Sequence, residues 1–317
     1  MTRAFNTRLV FRTMGALLLI EAVFMALTTA VGFYYNDPDK EAFIVSTVIT
    51  IVAGLFGLVI GRHAPYHVGE REGYVIVALV WVVFSLFGML PYYLSGQIGT
   101  ITDAWFETIS GFTTTGATIL RDVEVLTHEA LLWRAMTQWL GGLGIIVLCI
   151  ALLPMFGLGG MQLYAAEVTG VNYEKVSPRI ADTAKRLWGI YIFLTLSEIL
   201  LLYLADMNLF DAVCYSFTTV ATGGFSTKNL SVIEYGPAVQ YIIAVYMLLS
   251  GINFTLLIYC VIGKHDKLLH DEETRWYVGA VLLGTIVLAI GLFIHYGFVD
   301  AEWRVSSFQE GIRYAER

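Results

Sequence analysis

The chain reads Asp103-Ala104-Trp105-Phe106-Glu107-Thr108-Ile109-Ser110-Gly111-Phe112 and then Thr113-Thr114-Thr115-Gly116-Ala117-Thr118. A second stretch, Asp211-Ala212-Val213-Cys214-Tyr215-Ser216-Phe217-Thr218-Thr219, runs into Val220-Ala221-Thr222-Gly223-Gly224-Phe225-Ser226. Each opens with an apolar segment of about ten residues, too short to cross a bilayer but typical of a re-entrant helix. Each begins with Asp, which predicts that Asp103 and Asp211 are the N-caps. Both then give way to Thr and Gly. Asp211 lies 108 residues after Asp103 and Gly224 lies 108 after Gly116, so the segments align without a gap. One Thr-Thr-Thr-Gly run alone would read equally well as a turn between helices. Two with matching position, length and flanks read as an internal repeat, a recurring design in transporters.

The flanks are apolar on a membrane scale. Of 317 residues, 57% are hydrophobic and 14% charged, and mean hydropathy is +0.69. That balance excludes an ordinary soluble domain. Hydropathy predicts seven spans, at roughly 13–33, 42–60, 73–94, 131–153, 187–204, 239–262 and 276–298. The fold class is then an all-α membrane protein of repeated span, pore helix, loop and span units. It has about seven transmembrane helices and two re-entrant pore helices.

Arg3, Arg8 and Arg12 precede an apolar run that lacks a small-residue cleavage site, which reads as a retained signal anchor. With the N-terminus in the cytoplasm, 12 of the 19 Lys and Arg fall on the inner side and 7 outside. The positive-inside rule favours this orientation. Of 26 carboxylates, 15 fall outside and 9 inside, so the outer face is 7 − 15 = −8 and the inner face 12 − 9 = +3. An acidic outer vestibule concentrates cations and repels anions. Ordinary solvated loops would carry the same charge.

Thr and Gly in a membrane loop suit ion dehydration. A bare monovalent cation needs oxygens to replace its water, and backbone carbonyls supply them. Aiming successive carbonyls along one axis demands unusual φ/ψ, which Gly permits. Thr adds a hydroxyl without a charge, so binding stays weak enough for release. A short helix directing its negative C-terminal end at the path favours a cation. Irregular backbone at this depth is tolerable only where protein buries it or water reaches it.

These residues resemble the superfamily of Trk, Ktr and HKT potassium transporters, most closely its bacterial TrkH type. Thr113-Thr114-Thr115-Gly116-Ala117-Thr118 is similar to the first filter of that family, and Ala221-Thr222-Gly223-Gly224-Phe225-Ser226 to the TrkH version of the second. Trp139-Leu140-Gly141-Gly142-Leu143-Gly144, Pro178-Arg179-Ile180 and Gly251-Ile252-Asn253-Phe254 carry the likeness further. The resemblance implies four span–pore–span repeats around one pore, each giving one filter strand. It implies Thr114, Thr115, Gly116, Thr222, Gly223 and Gly224 as ion-binding filter residues. It further implies potassium uptake across the bacterial inner membrane, a homodimer, and a cytosolic nucleotide-binding regulatory ring of the TrkA type. A transporter of this kind is no enzyme. It has no catalytic residues, no cofactor, no metal beyond the transported cation and no nucleic-acid partner.

On that pattern, residues 1–72 are an extra N-terminal helix pair and 73–160 the first repeat. Residues 161–263 are a cytosolic linker with the second repeat, and 264–317 open a third. Phe308-Gln309 resembles the start of a third pore helix, whereas 310–317 is charged and holds no Thr/Gly loop. The expectation is a chain truncated at the third repeat. Sodium conduction or cation symport is an alternative function, although Gly116 leans against sodium because the family's sodium-selective members tend to carry Ser there. A non-conducting fragment needing a complementary partner is another, and two chains pooling four filter strands a third.

Glu21 and Glu198 lie inside predicted spans, where an ionisable group is costly and marks either function or a hydrogen-bonded carboxyl between helices. Gly141, Gly142 and Gly144 predict close helix packing. Pro65 between His63 and His67 spoils a shared metal-binding face. Cys149, Cys214 and Cys260 read as separate buried thiols. Gly157, Gly159 and Gly160 lack the Lys of a phosphate loop and read as a cytosolic turn. The topology has a direct test. Cysteines placed near Asp122 and Asn229 are expected to react with an impermeant thiol reagent added outside, and one near Lys175 to stay unlabelled; the reverse pattern inverts the orientation.

Overall fold

The computed structural model describes residues 5–64, 70–142, 144, 179–263 and 266–296, and every regular element among them is helical. Cys149, Gly157, Gly159, Gly160, Lys175, Pro178, His67, Phe308-Gln309 and the tail 310–317 lie outside the described residues. Helix α1 (Thr7–Tyr35) is capped by Asn6, whose Oδ1 accepts from Leu9 N at 3.2 Å. The Asn6 amide donates to Glu72 Oε1 at 3.0 Å, which ties the chain start to helix α3 (Glu70–Gly88). Asn36, left-handed at φ 57°, ends α1, and α2 (Lys40–Ile60) returns along it.

The contact between α1 and α2 depends on small residues. A Cβ on Gly15 would lie 2.5 Å from Gly54 O, and one on Gly57 2.8 Å from Phe11 O. Without a hydrophobic drive between helices in lipid, such close backbone approach is a main source of association. Buried Thr13, Thr29, Ser46, Thr47 and Thr50 return their hydroxyls to the carbonyl four residues earlier, so these five groups are satisfied within their own helices. Val52, Phe56, Phe193, Leu196, Leu283 and Leu288 are exposed, an apolar surface that would be a liability in water and suits lipid.

The third predicted span is one apolar stretch long enough to cross, Arg71–Leu94, in which α3 passes into α4 (Leu90–Leu94) through a one-residue break in the helix bonding at Met89, with Pro91 in the first turn of α4. The break frees Gly88 O, and the buried Trp133 indole donates to it at 2.8 Å. Next come α5 (Ile101–Phe112), α6 (His128–Gly142, where continuous description stops), α7 (Arg179–Leu204) and α8 (Leu209–Val220). They are followed by α9 (Pro237–Ser250), α10 (Phe254–Val261), α11 (Asp266–Leu269) and α12 (Glu272–Tyr296). One core joins Leu17 and Met25 of α1, Ile76 and Phe84 of α3, Phe112 of α5 and Trp133 of α6. A second joins Tyr191 of α7, Val220 of α8, Tyr246 of α9 and Leu257 of α10.

The predicted span 239–262 is not one straight helix. Helices α9 and α10 meet at 104°, and among the described residues five helices are long and apolar enough to cross, or six if that bent pair counts as one. Gly251 is a poor helix former, and Asn253 restarts the chain by accepting from Thr255 N at 3.0 Å. Periodicity cannot see such a break because both halves are apolar. Overpacking at the α1–α2 contact is expected to cost about 1–3 kcal/mol. Gly15→Val therefore lowers the thermal unfolding midpoint of the detergent-purified protein. Gly284→Ala, where no atom stands within 4 Å of the new Cβ, leaves it unchanged or raised.

Candidate functional site

Helices α5 and α8 are the two re-entrant segments, 12 residues each. Their N-caps are Thr100 and Asn208, whose side chains accept from Asp103 N at 3.1 Å and Asp211 N at 2.8 Å. Asp103 and Asp211 thus stand at the third helical position, a correction to their reading as caps. Thr and Asn are themselves strong caps, so each helix starts three residues sooner, and the acid in the first turn suits the helix dipole.

Both helices end in the same way. Thr115 N donates to Ser110 O and Thr114 N to Gly111 O, both at 2.9 Å. Gly223 N donates to Thr218 O at 2.8 Å and Thr222 N to Thr219 O at 2.9 Å, the same bonds 108 residues on. This is the Schellman pattern, whose left-handed residue is usually Gly. Here it is Thr in both repeats, Thr114 at φ 53° and Thr222 at φ 55°. A β-branched residue in that region costs about 1–3 kcal/mol and persists only where surroundings hold it. Gly116 at φ 76° and Gly224 at φ 86° follow.

The two loops touch. A Cβ on Gly116 would lie 2.0 Å from Gly223 O, so glycine is required there by contact as well as by φ. Gly223 has an ordinary φ but is buried against Gln138, 2.3 Å from its Cβ position. Gly224 faces open space, so its φ alone calls for glycine. Thr115, Thr222 and Gly224 are exposed, while Thr114 and Gly116 are half-buried. The Thr113 and Thr115 hydroxyls pair at 2.8 Å. All six candidate residues therefore belong to two matched loops that meet at Gly116 and Gly223.

Helix α6 stands behind both loops. Arg134, 2% exposed, donates through Nε to Glu107 Oε1 at 2.8 Å and through Nη2 to the same oxygen at 2.7 Å. Glu107, fully buried, also accepts from Thr118 Oγ1 and Ile119 N, each at 3.0 Å. The Arg134 Nη1 reaches the second loop, donating to Ser226 O at 3.0 Å, and the guanidinium lies 4.1 Å over the Phe225 ring. In the second repeat Tyr215 stands where Glu107 does, and its hydroxyl meets Ser226 Oγ at 2.7 Å. Asp211 holds the strand beyond, accepting from Thr227 Oγ1 at 2.6 Å and from the Tyr235 hydroxyl at 2.7 Å. Burial and then that bond to Asp211 push the Tyr235 phenol well above its ordinary range.

Small residues let α6 approach. A Cβ on Gly141 would be 2.0 Å from Phe112 O, and one on Gly142 2.6 Å from Ala221, so both glycines pack as predicted. Gly144 is left-handed at φ 64°. Glu21 and Glu198 are fully buried; the Glu21 carboxyl has no hydrogen-bond partner among the described residues, whereas Glu198 lies beside the Thr219 hydroxyl. Cys214 is buried and Cys260 half-buried, both free. Sequence reasoning missed Arg134, Glu107 and Gln138. It counted Arg134 with the outer charges although it falls inside the predicted span 131–153, and an intramembrane ionisable residue is the signal that would have found it.

The model of the family described as TrkH, cation transport protein, matches residues 39–296. The chain is 40% identical over 292 residues to the Trk system potassium uptake protein TrkH of Salmonella typhimurium, covering 91% of this chain and 60% of that protein. It is 37% identical over 319 residues to the Halomonas elongata TrkH, covering 98% and 64%. The crystal structure of the potassium transporter TrkH from Vibrio parahaemolyticus superposes with a TM-score of 0.82 at 33% identity, covering 97% of this chain and 63% of that one. The chain thus spans about three fifths of the length of these relatives. The clamp behind the loops has its own test. Removing one partner of a buried ion pair typically costs about 3–5 kcal/mol, so Glu107→Ala is expected to lower thermal stability by that order, whereas Asp103→Ala, on the partly exposed start of α5, shifts it by less than about 1 kcal/mol.

Proposed function

Because this chain belongs to the TrkH family of cation transport proteins, we propose that its two Thr/Gly loops are strands of a potassium filter in a Trk-type uptake system. One observation carries the reading: two loops 108 residues apart repeat the same backbone bonds and the same left-handed positions, and they touch. Main-chain turns are the means by which carbonyls can be presented to a dehydrated cation. Thr114, Thr115, Gly116, Thr222, Gly223 and Gly224 are the residues we assign to it. The α5 and α8 C-termini lead directly into the loops, so their negative ends favour a cation there. Glycine at 116 favours potassium over sodium through the resemblance, since the family's sodium-selective members tend to carry serine there, and the contact shows what a serine would disturb. A serine there would meet Gly223 O unless the loops moved apart.

The system we envisage sits in the bacterial inner membrane with its N-terminus in the cytoplasm, as the positive-inside count favours. It works as a homodimer with a cytosolic nucleotide-binding ring of the TrkA type, without cofactor or catalytic residues. Residues 1–72 brace the first repeat (73–160), since α1 packs on α3 and α6. The second repeat with its linker takes 161–263, and 264–317 contribute the first span of a third.

Two filter strands offer an ion roughly half the carbonyls of a four-strand ring, too few to replace its water. Residues 1–317 expressed alone in a transport-deficient host are therefore expected to give no potassium uptake. Co-expression with a polypeptide supplying two further filter loops restores it. In that complemented system Gly116→Ser is expected to lower the K⁺/Na⁺ flux ratio more than Gly224→Ser. The first violates both φ and contact, the second φ alone. Unchanged ratios in both would remove the loops from the ion path.

A further inference from the structure

Gln138 lies four residues after Arg134, so both side chains leave the same face of α6. Its Oε1 accepts from Phe225 N at 3.0 Å. Its carboxamide fills the space a Cβ on Gly223 would need, 2.3 Å from Oε1 and 2.7 Å from Nε2. The Cβ position of Gly116, in the other loop, is 3.7 Å from the same Nε2. The amide therefore sits at the point where the two loops touch. Gln138 is fully buried, and Nε2 has no hydrogen-bond partner among the described residues.

Oε1 has a structural task, since an apolar side chain would leave the buried Phe225 N–H without an acceptor. Nε2 has none, and packing alone gives no reason to keep an unpaired buried N–H between the two loops. Arg134 raises the same question one turn earlier. It bonds Glu107 and Thr118 of the first repeat and Ser226 of the second, so one planar fork spans both loops. In the second repeat Gly141-Gly142 of α6 aligns with Ser250-Gly251 of α9, an offset one residue longer than that of the loops, so the counterparts of Arg134 and Gln138 are Ile243 and Met247, which have no such bonds to offer.

We propose that Gln138 and Arg134 are positioning residues for ion discrimination: they fix the spacing of the two loops across the Gly116–Gly223 contact and touch no ion. The inference rests on the reading of the loops as filter strands. Replacing a hydration shell depends on the number and placement of oxygens, so a change in spacing alters which ion is favoured before it stops passage.

The experiment compares K⁺ and Na⁺ uptake in the complemented system at matched amounts of protein in the membrane. The variants are Gln138→Leu, Gln138→Met and Arg134→Lys, the last keeping the charge opposite Glu107 while losing the fork. Each is expected to retain cation uptake with a K⁺/Na⁺ ratio lowered about fivefold, the loss that one net hydrogen bond carries. A purely structural role would lower protein amount and both fluxes together and leave the ratio at the wild-type value, which overturns the proposal. If Gln138→Leu fails to reach the membrane, Gln138→Met and Arg134→Lys carry the same comparison. A wild-type system with no potassium preference would instead overturn the filter reading itself, and this inference with it.

Discussion

The ion pair between Arg134 and Glu107 is the interaction on which the site depends. Neither group is tolerable alone in a membrane interior, since an uncompensated buried charge costs several kcal/mol. Together with Thr118, Ile119 and Ser226 they satisfy one another. That closed set places three things at once: the outer face of α5, the strand leaving the first loop and the strand leaving the second. Apart from Gln138, close packing behind the loops is carried by small and apolar residues. Gly141 and Gly142 bring the α6 backbone against Phe112 and Ala221, and Trp133 caps the carbonyl freed by the break after Gly88.

This arrangement explains why the loops can hold strained backbone. Left-handed threonines at 114 and 222 are unfavourable locally, yet each is fixed by two helix-end bonds and by packing of its helix on α6. Non-glycine left-handed residues elsewhere are Asn36, Asp206 and Ser231, none of them β-branched, so among the described residues the costlier case falls only in these two loops. The rest of the molecule uses ordinary devices of membrane helices, such as glycine contacts between α1 and α2 and hydroxyls turned back onto their own helix.

Six of the seven spans and the repeat were legible because they depend on composition and spacing, and both survive in a bare sequence; the fourth, 131–153, runs beyond the described residues. The starts of the pore helices were legible to within three residues, with Asp103 and Asp211 mistaken for caps that Thr100 and Asn208 supply. The bend between α9 and α10 was not, since apolar residues flank it on both sides. Arg134, Glu107 and Gln138 were missed for a different reason. Their partners are 11 to 92 residues away in sequence, and no periodicity records a contact of that kind. Glycine was rightly tied to unusual backbone at Gly116 and Gly224, but Gly223 owes its identity to the room taken by Gln138.

Aligned on their repeat, the loops Thr113–Thr118 and Ala221–Ser226 keep the same residue at two of six places, Thr114 with Thr222 and Gly116 with Gly224. Those are the two places where φ is positive. A duplicated unit can drift wherever only side chains are at stake, as Thr115 against Gly223 and Ala117 against Phe225 have done. It cannot drift where the main chain itself must turn the uncommon way. Within one chain the surviving identities therefore act as an internal record of geometry, and comparing a protein with itself recovers which peptides are bent.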